Sequence, residues 1–176
     1  MDISPWTSLE KAKLAISILT PLLVLVLGIV INNSVKTAER STGLRSEIYK
    51  QIGGDLNDIY SYLAFVGGWK NLSPAEIIDR KRAVDKAMYT YKPFFSKELF
   101  ATYERFMNEA FKPYGGAGQD ARIRSDVSTE DGDRRRHTTK AWDPSWEDRF
   151  TKERNKEAQR QAYDQFLEQL ARDLKL

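Results

Sequence analysis

The chain contains no cysteine and only one histidine, His137. The lack of cysteine excludes a disulfide framework, a thiol nucleophile and any cysteine-ligated metal site. A single histidine excludes a two-histidine metal site or an HExxH helix within one chain. The sequence also lacks internal repeats and stretches in which apolar and polar residues alternate, so it does not indicate β-strands. We therefore predict no catalytic, metal or cofactor site and no enzymatic activity.

Charge is missing from one long stretch, the run from Leu14 to Ile31. At about 1.5 Å per residue, a helix over this run is about 27 Å long, which is close to the hydrocarbon thickness of a bilayer. Each of its Leu, Ile and Val residues favours insertion by about 0.3 to 0.6 kcal/mol. The sequence therefore predicts a transmembrane helix over residues 14–33, preceded by a short leader over residues 1–13.

A cleaved signal peptide is the alternative interpretation of this run. Its apolar region would be unusually long, and Lys36 follows where small residues belong. The orientation of the span is predicted from the basic residues on its two sides. Two precede the span and four follow it, namely Lys11 and Lys13 before it and Lys36, Arg40, Arg45 and Lys50 after it. We expect the N-terminus outside and the C-terminal domain in the cytoplasm, at the inner membrane of a bacterial cell.

Residues 34–113 show helical periodicity, which predicts the first three helices of one domain. The first helix carries an apolar stripe that recurs every three or four residues. This stripe consists of Leu44, Ile48, Ile52, Leu56, Ile59, Leu63 and Val66. The adjacent Gly53 and Gly54 are weak helix formers, so we expect a kink or a break there.

Capping signals mark the next two helices. Ser73, Pro74 and Glu76 have the pattern of a capping box with proline at the first helical position. Ser96 is expected to open the third helix, and Pro113 to close it. The expected core of the domain consists of Ile59, Leu63, Ile78, Phe100, Phe106 and Phe166.

The periodicity is lost over residues 114–142, where glycines cluster and charges of both signs alternate. This composition predicts a mobile charged loop that is dispensable for folding. Residues 143–176 regain helical spacing and are predicted to form a C-terminal helix that completes the bundle. The predicted fold class is all-α, with a transmembrane helix followed by an antiparallel helical bundle.

Several short motifs suggest relatives of this chain. They are Ile31-Asn32 at the end of the span, Phe65–Lys70, Ser73–Ile78, Pro93–Ser96, Tyr114–Gly118 and Asp120–Arg122. In these motifs the chain resembles a family of uncharacterised bacterial single-pass membrane-anchored helical proteins. That resemblance implies the same architecture. The family has no assigned activity, so the resemblance implies no mechanism and no catalytic residue.

Basic residues of the predicted loop are candidates for contact with a partner or a lipid. They are Arg122, Arg124, Arg134, Arg135 and Arg136. A solvated loop is the simpler interpretation; contact with anionic headgroups is the alternative that a membrane tether favours. The net charge of +3, spread among interspersed acids, does not indicate nucleic acid as a partner.

Lys81 lies within the apolar stripe of the second predicted helix, between Ile77 and Val84. Its aliphatic stem can pack along apolar neighbours while its ammonium group reaches water. The alternative is a functional charge that contacts a partner. The position of Lys81 leaves both interpretations open.

These features support a membrane-anchored cytoplasmic interaction domain, acting as an adaptor, a sensor or an assembly subunit. Its expected partners are the bilayer and either another protein or a second copy of the chain. The alternative is a membrane-acting effector, for instance in bacterial defence or growth arrest, which gathers its spans by oligomerisation. The uncharged span argues against an ion-conducting pore, because no charged residue could line one.

Overall fold

The structure is a computed structural model that describes residues 46–113, 116 and 118–175, together with residues 19, 23–25, 27–29, 32 and 43. The chain divides into two units, Met1–Arg45 and Ser46–Leu176. Most of the described residues are helical, and the described strands are only two residues long. The all-α class is therefore confirmed at this coarse level.

In the first unit, the separately described residues are helical. The predicted leader and most of the predicted span lie outside the described residues. Six large apolar side chains of this unit are described, and each is more than half exposed. They are Leu19, Leu23, Val24, Leu25, Leu27 and Ile29. Within the described part of the chain, no helix has both the length and the apolar character needed to cross a bilayer.

Helix α1 covers residues 46–64 of the second unit and runs through Gly53 and Gly54 without a break. Its stripe from Ile48 to Leu63 is buried, as predicted. Val66, the last predicted member, is half exposed because the helix has already ended.

Helices α2 (Pro74–Tyr91) and α3 (Lys97–Ala110) begin where the capping signals predict. The Ser73 hydroxyl accepts a hydrogen bond from the Glu76 amide at 3.2 Å, and the Glu76 carboxylate accepts one from the Ser73 amide at 2.7 Å. This reciprocal pair satisfies two amides that a helix start otherwise leaves unpaired. The Ser96 hydroxyl likewise accepts from the Leu99 amide.

Helix α5 (Lys156–Leu174) packs against α3 through aromatic rings. Phe106 of α3 lies 5.3 Å from the ring of Tyr163 and 6.3 Å from that of Phe166. All six residues of the expected core, including Phe106, are buried. The helix is shorter than predicted, because Pro144–Arg149 forms a separate 3₁₀ turn.

The predicted mobile loop is the largest error in the sequence interpretation. Two antiparallel pairs of short strands lie between α3 and α5, and each strand has two residues. In the first pair, β1 (Phe111–Lys112) lies beside β2 (Arg122–Ile123). In the second, β3 (Ser128–Thr129) lies beside β4 (Gly132–Asp133). A single helical turn, α4 (Arg134–His137), follows. This segment also supplies buried side chains to the core, namely Ile123, Ser125, Val127 and Arg134. The segment therefore has regular structure and contributes to the core, whereas a mobile loop was predicted, and we now expect the domain to need it for folding.

The helix termini of this domain group into two ends. Arg80 of α2 pairs with Asp55 and Asp58 of α1 at 2.8 Å each. These contacts lie about two turns from the connection (residues 65–73) along both helices, as expected for an antiparallel pair. From this contact, α2 continues to Tyr91 and α1 extends back to Ser46, about 16 Å in both cases. The start of α1 and the end of α2 therefore lie at the same end of the domain.

Helix α5 confirms this grouping independently. Arg154, just before α5, donates to the Leu63 carbonyl at the end of α1. In the last turn of α5, the Asp173 carboxylate accepts from the amide and hydroxyl of Ser96, at 2.7 and 2.9 Å. We call the end with Ser46, residues 89–97 and Asp173 the proximal end. The end with Phe65, Arg134 and Arg154 is the distal end.

Candidate functional site

The most unusual side chain of the domain is Arg134, whose guanidinium is completely buried at the distal end. It donates to the Tyr62 carbonyl at 2.7 Å, to the Ser125 hydroxyl at 3.2 Å and to the Asp126 carbonyl at 3.3 Å. Its central carbon also lies 4.1 Å from the Tyr62 ring centroid and 3.8 Å from that of Phe65. Among the described residues, no carboxylate forms an ion pair with it.

The end of α1 explains how this charge is stabilised without an acid. Phe65 adopts a left-handed conformation, with φ of 59°, and the Val66 amide donates to the Ser61 carbonyl, as in a Schellman motif. The next two carbonyls, of Tyr62 and Leu63, accept from Arg134 and Arg154. Both cations therefore lie at the negative end of the helix dipole and satisfy carbonyls that the helix leaves unpaired.

Titration behaviour follows from this burial. Burial lowers the pKa of Arg134 to about 10, while the neighbouring Tyr62 partly offsets the effect. Burial also raises the pKa of Tyr62 to about 12, against the opposing charge of Arg134. At neutral pH Arg134 therefore keeps its proton and Tyr62 stays a phenol, so the cluster carries a fixed positive charge with no group poised to exchange protons.

A second polar cluster lines a cleft of about 390 Å³ between α2 and α3. Lys81 donates to one oxygen of the Asp85 carboxylate at 2.6 Å, and the Tyr103 hydroxyl donates to the other. Burial, followed by the hydrogen bond to Asp85, raises the pKa of Tyr103. The Asp85 carboxylate thus accepts from both neighbours, and Tyr103 acts as a donor. The cluster links the two helices.

Lys81 therefore has a structural partner, and its ammonium also lies 5.6 Å from the Phe111 ring centroid. Its side chain is 17% exposed, which agrees with a lysine that packs its stem against the core. A contact between Lys81 and an external partner stays a prediction.

The five predicted arginines do not form one basic strip. Arg134 is buried and unavailable to a partner, which corrects the expectation for that residue. Arg124 pairs with Glu153, and Arg135 pairs with Asp133 and Glu147. Arg122 and Arg136 are exposed.

The position of these arginines also bears on lipid contact. The Arg124 carbonyl accepts from Gln159 in the first turn of α5, at 2.7 Å, and Arg134 to Arg136 adjoin the end of α1. They all lie toward the distal end, which is opposite the end where the chain enters the domain from residue 45. A lipid surface in contact with these arginines would therefore lie at the distal end of the domain.

Asp120 joins two arginines that are far apart in the sequence, Arg82 and Arg149, and the sequence did not indicate this contact. Its carboxylate accepts from Arg149 at 2.5 Å and also from Arg82 of α2. The hydrogen bond from Arg149 is the largest effect lowering the pKa of Asp120. The adjoining cleft of about 530 Å³ is lined by Arg122, Ser145 and Asp148 among others. Its lining carries charges of both signs, of which Asp120 and Arg149 pair with each other, so it does not define the charge of a ligand.

Metal binding has no support in the described part of the chain, where no three His, Asp or Glu side chains converge. No protein-family model matches the chain, and comparisons with curated proteins and with solved structures found no similar protein. The resemblance to membrane-anchored helical proteins therefore stays a prediction.

Sequence reasoning missed the arginine-capped end of α1. Phe65 and Trp69 flank two glycines, and this pattern signalled only the end of a helix. Three successive arginines at 134–136 gave no sign that the first is buried and the other two exposed. Only the tertiary contacts of Arg134 distinguish it.

Proposed function

We propose that the chain is a single-pass membrane protein whose domain of residues 46–175 lies at the cytoplasmic face of the inner membrane. The domain would act by association with a protein partner or a second copy, as an adaptor, a sensor or an assembly subunit. The observation that carries the proposal is the exposure of the six described apolar side chains between Leu19 and Ile29, at 53–64%.

These six positions are distributed around a helix and not along one face. At about 100° per residue, Leu23, Val24 and Leu25 alone point in three different directions. A helix that is apolar all round needs apolar surroundings on every side, whereas a surface helix of a soluble domain is apolar along one stripe. The uncharged sequence from Leu14 to Ile31 supplies the length that a bilayer requires.

The charged side chains of the domain's polar clusters pair with one another, and this favours association over catalysis. Asp85 and Asp120 each accept from two donors, and so does Asp131, from Arg154 and Lys156. The two other carboxylates that line the described clefts, Glu104 and Asp148, are exposed to water, and proton transfer in a dry site needs a desolvated group. The prediction that the chain is not an enzyme rests on this pairing and on the sequence.

Membrane integration is tested with a charge placed near the middle of the span. Val24→Arg should shift the full-length protein from the carbonate-resistant membrane fraction toward the soluble or degraded fraction, because an arginine at that depth costs about 2.5 to 3.5 kcal/mol. Val24→Leu is the matched control and should stay in the membrane. Recovery of the unaltered chain in the soluble fraction would refute the proposal.

Orientation is tested with a single introduced cysteine. Because the chain has no cysteine of its own, labelling reports only the introduced thiol. Ser128→Cys places a thiol at an exposed position of β3. An impermeant maleimide should label it only after the cells are permeabilised. Labelling of intact cells would place the domain outside and overturn the cytoplasmic location.

A further inference from the structure

The proximal end of the domain carries exposed aromatic side chains that its core does not use. Phe94, in the connection between α2 and α3, is 68% exposed, and Tyr89, in the last turns of α2, is 57% exposed although one edge of its ring packs against Phe100. Single exposed rings are common on protein surfaces, so the charges that lie near these two rings decide whether they belong to an interaction surface.

The sequence around these two rings is rich in lysine. Residues 86–98 contain three lysines, Lys86, Lys92 and Lys97, and one carboxylate, Glu98. All three lysines are exposed, and none forms an ion pair with a carboxylate among the described residues. The Lys92 ammonium lies 4.1 Å from the ring centroid of Phe100 and 5.6 Å from that of Tyr89. One of the three basic groups, that of Lys92, is thus held beside the exposed Tyr89 ring.

The remaining charges of the proximal end do not reverse this balance. Its other carboxylates include Glu47, Glu104 and Asp173; Glu104 lines a cleft with Lys92 and Lys97, and Asp173 is bound by Ser96. Its other basic residues include Lys50 and Lys175. The exposed surface therefore combines a positive charge excess with apolar rings, a combination that suits the interface of an anionic bilayer.

The position of this surface matches the proposed anchor. The predicted span ends at residue 33 and the domain begins at Ser46, so residues 34–45 connect them. Fully extended, twelve residues reach at most about 40 Å. Such a tether keeps the proximal end at a high effective concentration near the leaflet, so a weak lipid contact would suffice to hold it there.

We propose that the proximal tip, residues 89–97 with Lys86, docks on the anionic lipid headgroups of the leaflet, with Phe94 inserted at the interface. This inference rests on the proposed membrane anchor. Docking fixes how the domain faces the cytoplasm: the proximal end is covered by lipid, and the distal end with Arg122 and Arg136 is presented to protein partners.

The test uses full-length protein with Phe94→Cys, labelled with an environment-sensitive fluorophore and reconstituted in vesicles that contain lipids with quenchers on their acyl chains. Anionic vesicles of phosphatidylglycerol and phosphatidylcholine are compared with vesicles of phosphatidylcholine alone. Flotation after carbonate treatment reports the anchor in the same samples. We expect a blue-shifted emission and strong quenching in anionic vesicles, and much weaker quenching in zwitterionic ones.

Charge variants sharpen the result. One basic residue near an anionic surface contributes about fivefold in affinity, so replacing Lys86, Lys92 and Lys97 with glutamine should weaken docking about a hundredfold. The matched control replaces Lys70, Lys152 and Arg136, which are exposed toward the distal end, with glutamine. It removes the same charge and should leave the quenching unchanged.

Two outcomes would overturn docking while leaving the anchor intact: floated protein without quenching, or a blue shift without lipid quenching, which would indicate contact between two copies. If the protein does not float after carbonate treatment, the anchor fails. In that case, binding to anionic vesicles that the triple lysine variant abolishes would still support the tip, and absence of binding would overturn it.

Discussion

The two ends of the domain use the same kinds of residue in opposite ways. At the distal end, Arg134 is buried among aromatic rings and helix carbonyls; at the proximal end, Lys92 lies beside aromatic rings on the surface. The guanidinium is planar and weakly hydrated, so it can be buried where several carbonyls accept from it. The ammonium is strongly hydrated and stays in water. A basic residue beside aromatic residues can therefore belong to the core or to a binding surface.

The largest expected effect compares two phenylalanines, Phe106 in the core and Phe94 at the proximal tip. Phe106→Ala should lower the free energy of unfolding by about 3 to 5 kcal/mol, because it removes a ring that is fully buried between α3 and α5. Phe94→Ala should change it by less than about 0.5 kcal/mol. Chemical denaturation of the full-length protein in detergent measures both values. Equal effects would contradict the assignment of the two rings.

The next comparison separates neighbouring arginines. Arg134→Ala should destabilise the domain by about 3 kcal/mol, because it empties a buried site and leaves the Tyr62 and Asp126 carbonyls without this donor. Arg136→Ala, at an exposed position, should have little effect. Arg134→Lys should also destabilise, since lysine cannot reproduce the planar set of donors. Unchanged stability of Arg134→Ala would show that the buried guanidinium is not structural.

A smaller effect is expected from the ion pair that joins Glu76 to Lys140 at 2.6 Å. The hydrogen bond from Lys140, opposed by burial and aided by Ser73, lowers the pKa of Glu76 from 4.5 to about 2. Because the folded pKa is below the unfolded one, this stabilisation is complete above about pH 5 and disappears as the pH falls toward 2.

Both side chains of this pair are substantially exposed, so solvent screening limits its contribution at neutral pH to about 1 kcal/mol. Glu76→Gln should remove that contribution and flatten the loss of stability between pH 5 and pH 2. Glu168→Gln, which breaks an exposed pair with Arg172, is the control and should have a smaller effect. Acid denaturation followed by circular dichroism distinguishes them. Parallel acid curves for Glu76→Gln and the unaltered chain would argue against the lowered pKa.

The sequence predicted the helices whose starts depend on neighbouring residues. Ser73 and Ser96 cap α2 and α3 through hydrogen bonds to amides three residues away, and the apolar spacing of α1 and α3 identifies their buried faces. Such contacts can be inferred from local spacing. The expected core was correct for the same reason.

The segment between α3 and α5 could not be predicted in this way. Its strands are two residues long, and its stability comes from partners far along the chain, such as Tyr62 for Arg134 and Glu153 for Arg124. A short strand leaves no periodicity, and an arginine that binds helix carbonyls resembles any surface arginine in the sequence. The arrangement of the proximal end likewise depends on tertiary packing, which places the start of α1 beside the ends of α2 and α5.

In the proposed docking, the proximal end of the domain faces the membrane and the distal end faces away from it. Energy transfer to acceptor-labelled headgroups tests this claim, with a donor attached to Ala101→Cys near the proximal end or to Ser128→Cys near the distal end, both at exposed positions. In full-length protein reconstituted in anionic vesicles, transfer should be clearly more efficient from position 101. Equal transfer, or greater transfer from position 128, would contradict this orientation of the domain.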